Sequence, residues 1–367
     1  MQSALNGASL LVDPVENTRR PRRPALRRGT RIAGLTVSDS DMAFTQREAL
    51  SRLGLEGNAF AEGIFERCGV KRRHLNLDED FQGRTLQGRT EQVEHDLLHH
   101  AVRAVDALDV DPSTIGTVLS SSLYSLGCPS LAHRLVEHYE MDPTTDKYHL
   151  SSVGCASGVP LMRLGRQALT EHPGRHVLVV AAESMSGILM PSTPEDSKAK
   201  IVGSAIFGDG CAAALLTDEP RDQGPMILAS QVHQVAGSLG AVSLHTTATD
   251  SHLHLERELP DIAGAELGPI VDGFLARNRL ERSEIDHWIV HPGGRRIIEN
   301  IQTALDLSDA DVEESWDALA EHGNVGTPSI FYVLKDTVER RSPEPGERAL
   351  LVTIGPGVTI GLMLLGW

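Results

Sequence analysis

Short β-branched apolar runs, each closed by a turn bearing glycine or proline, occur twice in the same order along this chain. In the first set, "TVLSSS" (117–122) reads as a strand and "SSVGCASGVPLMRLGRQAL" (151–169) turns tightly into a helix. "RHVLVVAAES" (175–184) is a buried strand, and "FGDGCAAALLTDE" (207–219) is a glycine turn leading into another. In the second set, "HWIVHPGG" (287–294) is a strand and turn, and "HGNVGTPSIFYVLKDTV" (322–338) turns into a helix. "RALLVTIGPG" (348–357) and "VTIGLMLLGW" (358–367) are the closing strands. Between the sets lie an alternating stretch and a helix, "GPIVDGFLARNRL" (268–280). The assignments rest on apolar runs bounded by breakers and on helical spacing such as Leu161, Leu164 and Ala168. Strands that are apolar throughout must be buried on both faces, between layers of helix. The repeated order predicts a duplicated α/β unit.

A length of 367 residues supports two domain-sized halves, expected at 31–222 and 223–367. Ahead of them, residues 1–30 include "NTRRPRRPALRRGTR", which buries no apolar surface and reads as a flexible leader. A docking arm for an acidic partner is the alternative use of that stretch. The formal net charge of −16 argues against nucleic acid as the main partner. The four cysteines, Cys68, Cys128, Cys155 and Cys211, form no CxxC pair, which suits a reducing cytoplasm rather than a disulfide framework or a zinc ribbon. No apolar run approaches the roughly 18–20 residues of a membrane helix.

Cys155 stands at the start of a helix, where unpaired N–H groups and the helix dipole favour an anion. Such a position is expected to lower a thiol pKa from about 8.5 towards neutrality. Free cysteine is also among the most buried residue types, so a small core filler would look the same. His291 ends an apolar strand before a Pro-Gly-Gly turn, and Asn324 occupies a corresponding turn before a helix. Cys, His and Asn in this order also occur in papain-like proteases, but their C-G-[SA]-C-[WY] signature is absent. In the alternative chemistry, His and Asn donate hydrogen bonds to one carbonyl oxygen and stabilise an enolate. "IGPGVTIG" (354–361) imitates a dinucleotide loop, yet only ten residues follow Gly357, too few for a Rossmann helix and strand.

From about Gly34 onwards the chain resembles the type III (chalcone-synthase-like) polyketide synthases of the thiolase superfamily. The resemblance rests on "GCASGVPLMRL", "SAIFGDGCAAAL", "HWIVHPGGRRIIENIQTALDLS", "HGNVGTPSIFYVL" and the terminal "GPGVTI". Among bacterial members it leans towards the 3,5-dihydroxyphenylacetyl-CoA synthases. It implies a five-layered αβαβα homodimer built from two duplicated halves, with Cys155, His291 and Asn324 as the catalytic set. It further implies decarboxylative condensation of malonyl-CoA onto a Cys155-bound acyl group taken from an acyl-CoA starter, followed by cyclisation. No metal or redox cofactor is expected, and the product class is that of secondary metabolites and antibiotics.

Phe207 matches an aromatic gatekeeper, and Leu253 stands at a second gatekeeper position. Met185 and Ile188 fall where plant enzymes carry threonines. Gly326 and Thr327 replace a frequent Ser-Ser, and Gly361 replaces a glutamate after the GPG turn. Cys128 falls in the loop that reaches towards the partner's cavity. Arg67 and Lys71 match positions that contact CoA phosphates, where two cations four apart on a helical turn suit a diphosphate. Gly293, Gly294 and Arg296 of "HPGGRR" complete the expected CoA set. The rival readings are a ketoacyl-ACP synthase III-like enzyme using an acyl carrier protein, a cysteine hydrolase or amidotransferase, and a catalytically silent dimeric scaffold.

Overall fold

A computed structural model describes residues 29–187, 198–219, 223–246, 251–256 and 259–367. Its strands begin with β1 (Arg31–Asp39), β2 (Ala43–Thr45), β3 (Arg72–His74), β4 (Ile115–Ser122), β5 (Asp146–Ser151), β6 (His176–Glu183) and β7 (Gly210–Thr217). They continue with β8 (Met226–Gln234), β9 (Val242–Thr246), β10 (Ser251–Leu255), β11 (His287–Val290), β12 (Arg348–Gly355) and β13 (Thr359–Gly366). Nine of them hydrogen-bond in the order β11-β12-β13-β8-β1-β7-β6-β4-β5.

The order contains the same motif twice. On one side β1 pairs antiparallel with β7, β7 antiparallel with β6, and β6 parallel with β4. On the other β8 pairs antiparallel with β13, β13 antiparallel with β12, and β12 parallel with β11. Among the described residues the two series pair where Arg31 lies opposite Met226. The strands read from the sequence at 117–122, 175–184, 287–294 and 348–367 are β4, β6, β11, β12 and β13.

The strands are buried on both faces, and alternation shows what covers each face. In β6, Val177, Val179 and Ala181 join one apolar cluster, while Leu178, Val180 and Ala182 join another. In β13, Met363 and Leu365 go to the first cluster and Leu362 and Leu364 to the second. The first cluster also holds Val159, Leu161 and Met162 of the helix Gly158–Ala168, together with Ile330, Phe331, Val333 and Leu334 of the helix Ser329–Arg341. These two helices therefore form a central layer touched by both halves of the sheet. The second cluster holds Val93, Leu97 and Ala101 of the helix Leu86–Asp106, and Val271 and Phe274 of the helix Leu259–Arg277. Helix, sheet, helix, sheet and helix follow one another, an αβαβα stack. Each fully buried Val, Leu, Ile, Phe or Met side chain in it contributes about 1.5–3 kcal/mol. No described helix is long and apolar enough to cross a membrane.

Candidate active site

Cys155 follows β5 in a tight helical turn, Gly154–Ser157, that runs straight into the helix Gly158–Ala168. Its neighbours are small because the turn is clamped from several sides. Ser157 Oγ and Thr327 Oγ1 donate to the Gly154 carbonyl at 2.7 and 2.9 Å. Gly355 backs onto the turn so closely that a Cβ there would meet Ala156 N at 2.5 Å. The GPG segment is thus a hairpin turn between β12 and β13, pressed onto the cysteine turn. Gly158 lies against Ile330, so the two central helices touch at their N-terminal ends.

That contact brings in Asn324. Its side-chain Oδ1 accepts from Gly326 N at 2.9 Å, and its Nδ2 donates to the Gly293 carbonyl at 3.2 Å. The backbone partners fix which end of the amide is which. Oδ1 then lies 3.9 Å from Cys155 Sγ, within reach of a weak S–H···O contact. The main chain of Asn324 bridges to Phe207: Asn324 N donates to the Ile206 carbonyl at 2.7 Å, and Gly208 N to the Asn324 carbonyl at 3.1 Å. His291 follows β11 directly, and its turn supplies the Gly293 carbonyl that Asn324 holds.

Burial sets the charge state here. It pushes the Cys155 thiol up to about 12, the nearby Glu183 carboxylate adds to the rise, and Asn324 offsets only part of it. Burial likewise pushes His291 down to about 3. The expectation that the helix start lowers the thiol pKa is therefore overturned. The benefit of one helix terminus, about 0.3–2 kcal/mol, is smaller than the cost of taking a thiolate out of water. Both shifts favour the neutral thiol and the neutral imidazole in the free protein. Among the described residues no hydrogen-bond partner meets the buried His291 Nδ1, so no carboxylate among them stands behind this nitrogen to stabilise an imidazolium.

Two comparisons decide the family. Residues 38–270 match the model for FAE1/type III polyketide synthase-like proteins, and residues 226–366 match the C-terminal domain of chalcone and stilbene synthases. This chain belongs to the type III polyketide synthases. It is 28% identical to a 3,5-dihydroxyphenylacetyl-CoA synthase of Amycolatopsis balhimycina, over 92% of this chain and 93% of that one. It is also 28% identical to a 1,3,6,8-tetrahydroxynaphthalene synthase of Streptomyces peucetius subsp. caesius, over 94% of this chain and 95% of that one. The crystal structure of PKS-I from the brown alga Ectocarpus siliculosus shares its fold with a TM-score of 0.83 at 24% identity, covering 94% of this chain and all of that one. The thiolase-like fold follows. So does membership among polyketide synthases, which are condensing acyltransferases of a family using CoA-linked substrates. The carrier-protein-dependent alternative is not favoured.

Other residues singled out from the sequence of this polyketide synthase distribute unevenly. Phe207 is buried beside the asparagine turn. Met185 is buried too, and a Cβ on Gly326 would come within 2.8 Å of its Cε. Leu253 is buried on β10, Cys128 is exposed, and Ile188 and residues 1–28 lie outside the described residues. Arg67 and Lys71 do not share a helical turn: the helix Ala59–Arg67 ends at the first, and Gly69 adopts φ +91° between them. Lys71 leads into β3 instead, with its N–H on the Ala320 carbonyl. Arg296 Nη2 donates to the two carboxylate oxygens of Asp261, at 3.0 and 3.2 Å, and Gly294 caps the helix Arg295–Leu305.

Sequence reading passed over two buried charges beside the site. Glu183, the last residue of β6, accepts from Leu123 N at 2.8 Å and from Thr327 Oγ1 at 3.3 Å. Burial pushes its carboxyl up to about 8. Arg73 is fully buried and donates to the carbonyls of Ser204 and Phe207 at 2.7 and 2.8 Å, propping the gatekeeper turn from behind. The only signal for either was a charge next to an apolar run.

Proposed function

We propose that Cys155 is the acyl-carrying nucleophile of this polyketide synthase, and that His291 and Asn324 bind the malonyl thioester carbonyl during decarboxylation. The observation that carries the reading is the meeting of Cys155 Sγ with the Asn324 amide, whose other end is tied to the His291 turn. In acylation the Cys155 S–H proton passes to His291, Sγ bonds the carbonyl carbon of the starter, and the departing CoA sulfur takes a proton. In extension the C–C bond to the malonyl carboxylate breaks, CO2 leaves, and the electron pair forms an enolate. The enolate carbon then attacks the Cys155 thioester carbonyl, the bond from Sγ to the acyl carbon breaks, and the extended chain leaves on the CoA sulfur while Sγ keeps the electron pair. A neutral imidazole serves both stages in its two tautomers, first as proton acceptor and then as N–H donor to the enolate oxygen. The Asn324 amide is the second donor, and one such donor is worth about 2.7–4 kcal/mol. Phe207 narrows the entrance and keeps water from the thioester.

The condensation has no net redox change, so the proposed reaction uses no redox cofactor, and malonyl-CoA and an acyl-CoA starter are its substrates. A homodimer with Cys128 near the partner's cavity belongs to the same reading. The test is to incubate the protein with malonyl-CoA alone and then with acyl-CoA starters, following CO2 and product mass. CO2 release and a cyclised polyketide are expected. The masses separate the two aromatic products for which the relatives are named. Release of free acid from acyl-CoA, with malonyl-CoA left intact, would instead establish a hydrolase.

A further inference from the structure

A second cluster of titratable side chains lies outside the site just described, where three elements end. Asp39 is the last residue of β1, His74 the last of β3, and His322 the last of the helix Glu313–His322. Asp39 Oδ1 is 3.0 Å from His322 Nδ1, and Asp39 Oδ2 is 3.9 Å from His74 Nε2. One ligand-capable atom from each residue lies within 4.8 Å of the other two. All three side chains are partly buried, at 19–25% exposure.

The groups around the cluster orient it. His74 Nδ1 is 2.9 Å from the Ser40 carbonyl, which can only accept, so Nδ1 carries the hydrogen. With the hydrogen on Nδ1, the neutral tautomer would leave a lone pair on Nε2, which lies 3.9 Å from Asp39 Oδ2, too long for a hydrogen bond. A lone pair and a carboxylate oxygen facing each other across that gap suit a cation or a proton between them. Tyr332 OH, 3.0 Å from Asp39 Oδ1, leaves Oδ2 for that role. A histidine whose other ring nitrogen donates to a carbonyl, beside a carboxylate that is itself hydrogen-bonded, is the usual support of a metal ligand. Ligands about 2.0–2.2 Å from a tetrahedral zinc stand about 3.4 Å apart, so the 3.9 Å between Oδ2 and His74 Nε2 closes by about 0.5 Å around an ion, and His322 Nδ1, hydrogen-bonded to Oδ1 at 3.0 Å, gives up its proton to join them.

We propose that Asp39, His74 and His322 form a binding site for a late first-row divalent cation of the Zn2+ class. The ion joins β1, β3 and the end of the helix Glu313–His322. The carbonyl of His74 accepts from Asp209 N at 2.7 Å, and Asn324 follows His322 by two residues. Occupancy therefore stiffens the backbone that carries Phe207 and Asn324, and takes no part in the chemistry at Cys155. A proton on His74 is the competing occupant of the gap.

Zn2+ binding to the chelator-stripped full chain tests this, by competition with a chromophoric chelator at pH 7.5. Cys155→Ala, His95→Ala and His99→Ala are made first, because the thiol and the stacked His95/His99 pair on the helix Leu86–Asp106 could also take the ion. One equivalent bound in this background, with a rise in Tm, is expected. Adding His74→Gln or Asp39→Asn should weaken binding at least tenfold. No bound equivalent in the background, which would leave a proton in the gap, overturns the proposal, as does unchanged affinity in His74→Gln. If His74→Gln fails to fold, Co2+ added to the background protein decides: visible bands of nitrogen- and oxygen-bound cobalt are expected, and the spectrum of free aqueous Co2+ overturns the site.

Discussion

The turn at Gly154–Gly158 and the turn at Gly323–Ser329 stand at the N-terminal ends of the two central helices, the first entered from strand β5 and the second from the helix Glu313–His322. They use that position oppositely. In the second turn the polar side chain is fixed: Asn324 is held by Gly326 N, by Gly293 O and through its own main chain. In the first turn the backbone is held more firmly than the side chain: the Gly154 carbonyl is clamped twice, while the contact of Sγ to Asn324, at 3.9 Å, is weak. A donor that must meet a developing charge gains from being held beforehand, whereas a nucleophile has to move from its resting contact to the reacting carbon.

The sharpest way to break this contrast is Cys155→Ala. Intact-mass measurement after incubation with acyl-CoA should show complete loss of the acyl adduct, while some malonyl decarboxylation persists. An adduct on the variant would remove Cys155 from the mechanism. Asn324→Ala should cost decarboxylation about 10²–10³-fold, the effect of losing one preorganised donor. Acylation should survive, so undiminished CO2 release would strip Asn324 of its role.

A third experiment concerns the resting charge of the Cys155 side chain. With the thiol pushed up to about 12, its thiolate fraction grows tenfold per pH unit throughout the neutral range. Iodoacetamide labelling of Cys155, read on its own peptide by mass spectrometry, should rise without a plateau between pH 6.5 and 9. A plateau near neutrality would mean a preformed thiolate.

The smallest effect is expected at Glu183, which lies against the second turn through Thr327 and Gly326, with Thr327 Oγ1 also held to the Gly154 carbonyl of the first. Its carboxyl is raised to about 8, whereas an unfolded glutamate loses its proton near 4.3. Between those values the folded state binds more protons than the unfolded one, so stability falls as pH rises. Glu183→Gln keeps an acceptor for Leu123 N and removes this dependence. Its Tm should exceed that of the parent at pH 8 and differ less at pH 5, by about 1–2 °C for each kcal/mol recovered at this chain length. A lower Tm at pH 8 would show that the charge is needed.

The repeat of strands and turns was legible because fully buried strands cannot avoid being apolar throughout, and their ends need glycine or proline. The edge strand β5 was not, since "DKYHLS" leaves Tyr148 half exposed and carries little apolar pattern. The helix Leu86–Asp106 escaped a reading that followed glycine turns, although Val93, Leu97, Ala101 and Ala104 recur at helical spacing. Cys155, His291 and Asn324 stood out as polar residues at turns where apolar elements end. Arg73 and Glu183 did not, because nothing local tells a buried charge from an exposed one.

By itself, then, the sequence determined which segments are strands, where they turn, and which side chains stand at those turns, all properties of a few neighbouring residues. Only the tertiary structure decided that Cys155 and Asn324, 169 positions apart, share one site. It separated Arg67 from Lys71, and it reversed the expected shift of the Cys155 thiol. Each of these depends on what the rest of the chain packs around a residue. Desolvation at the meeting point of two halves outweighs the local pull of a helix terminus.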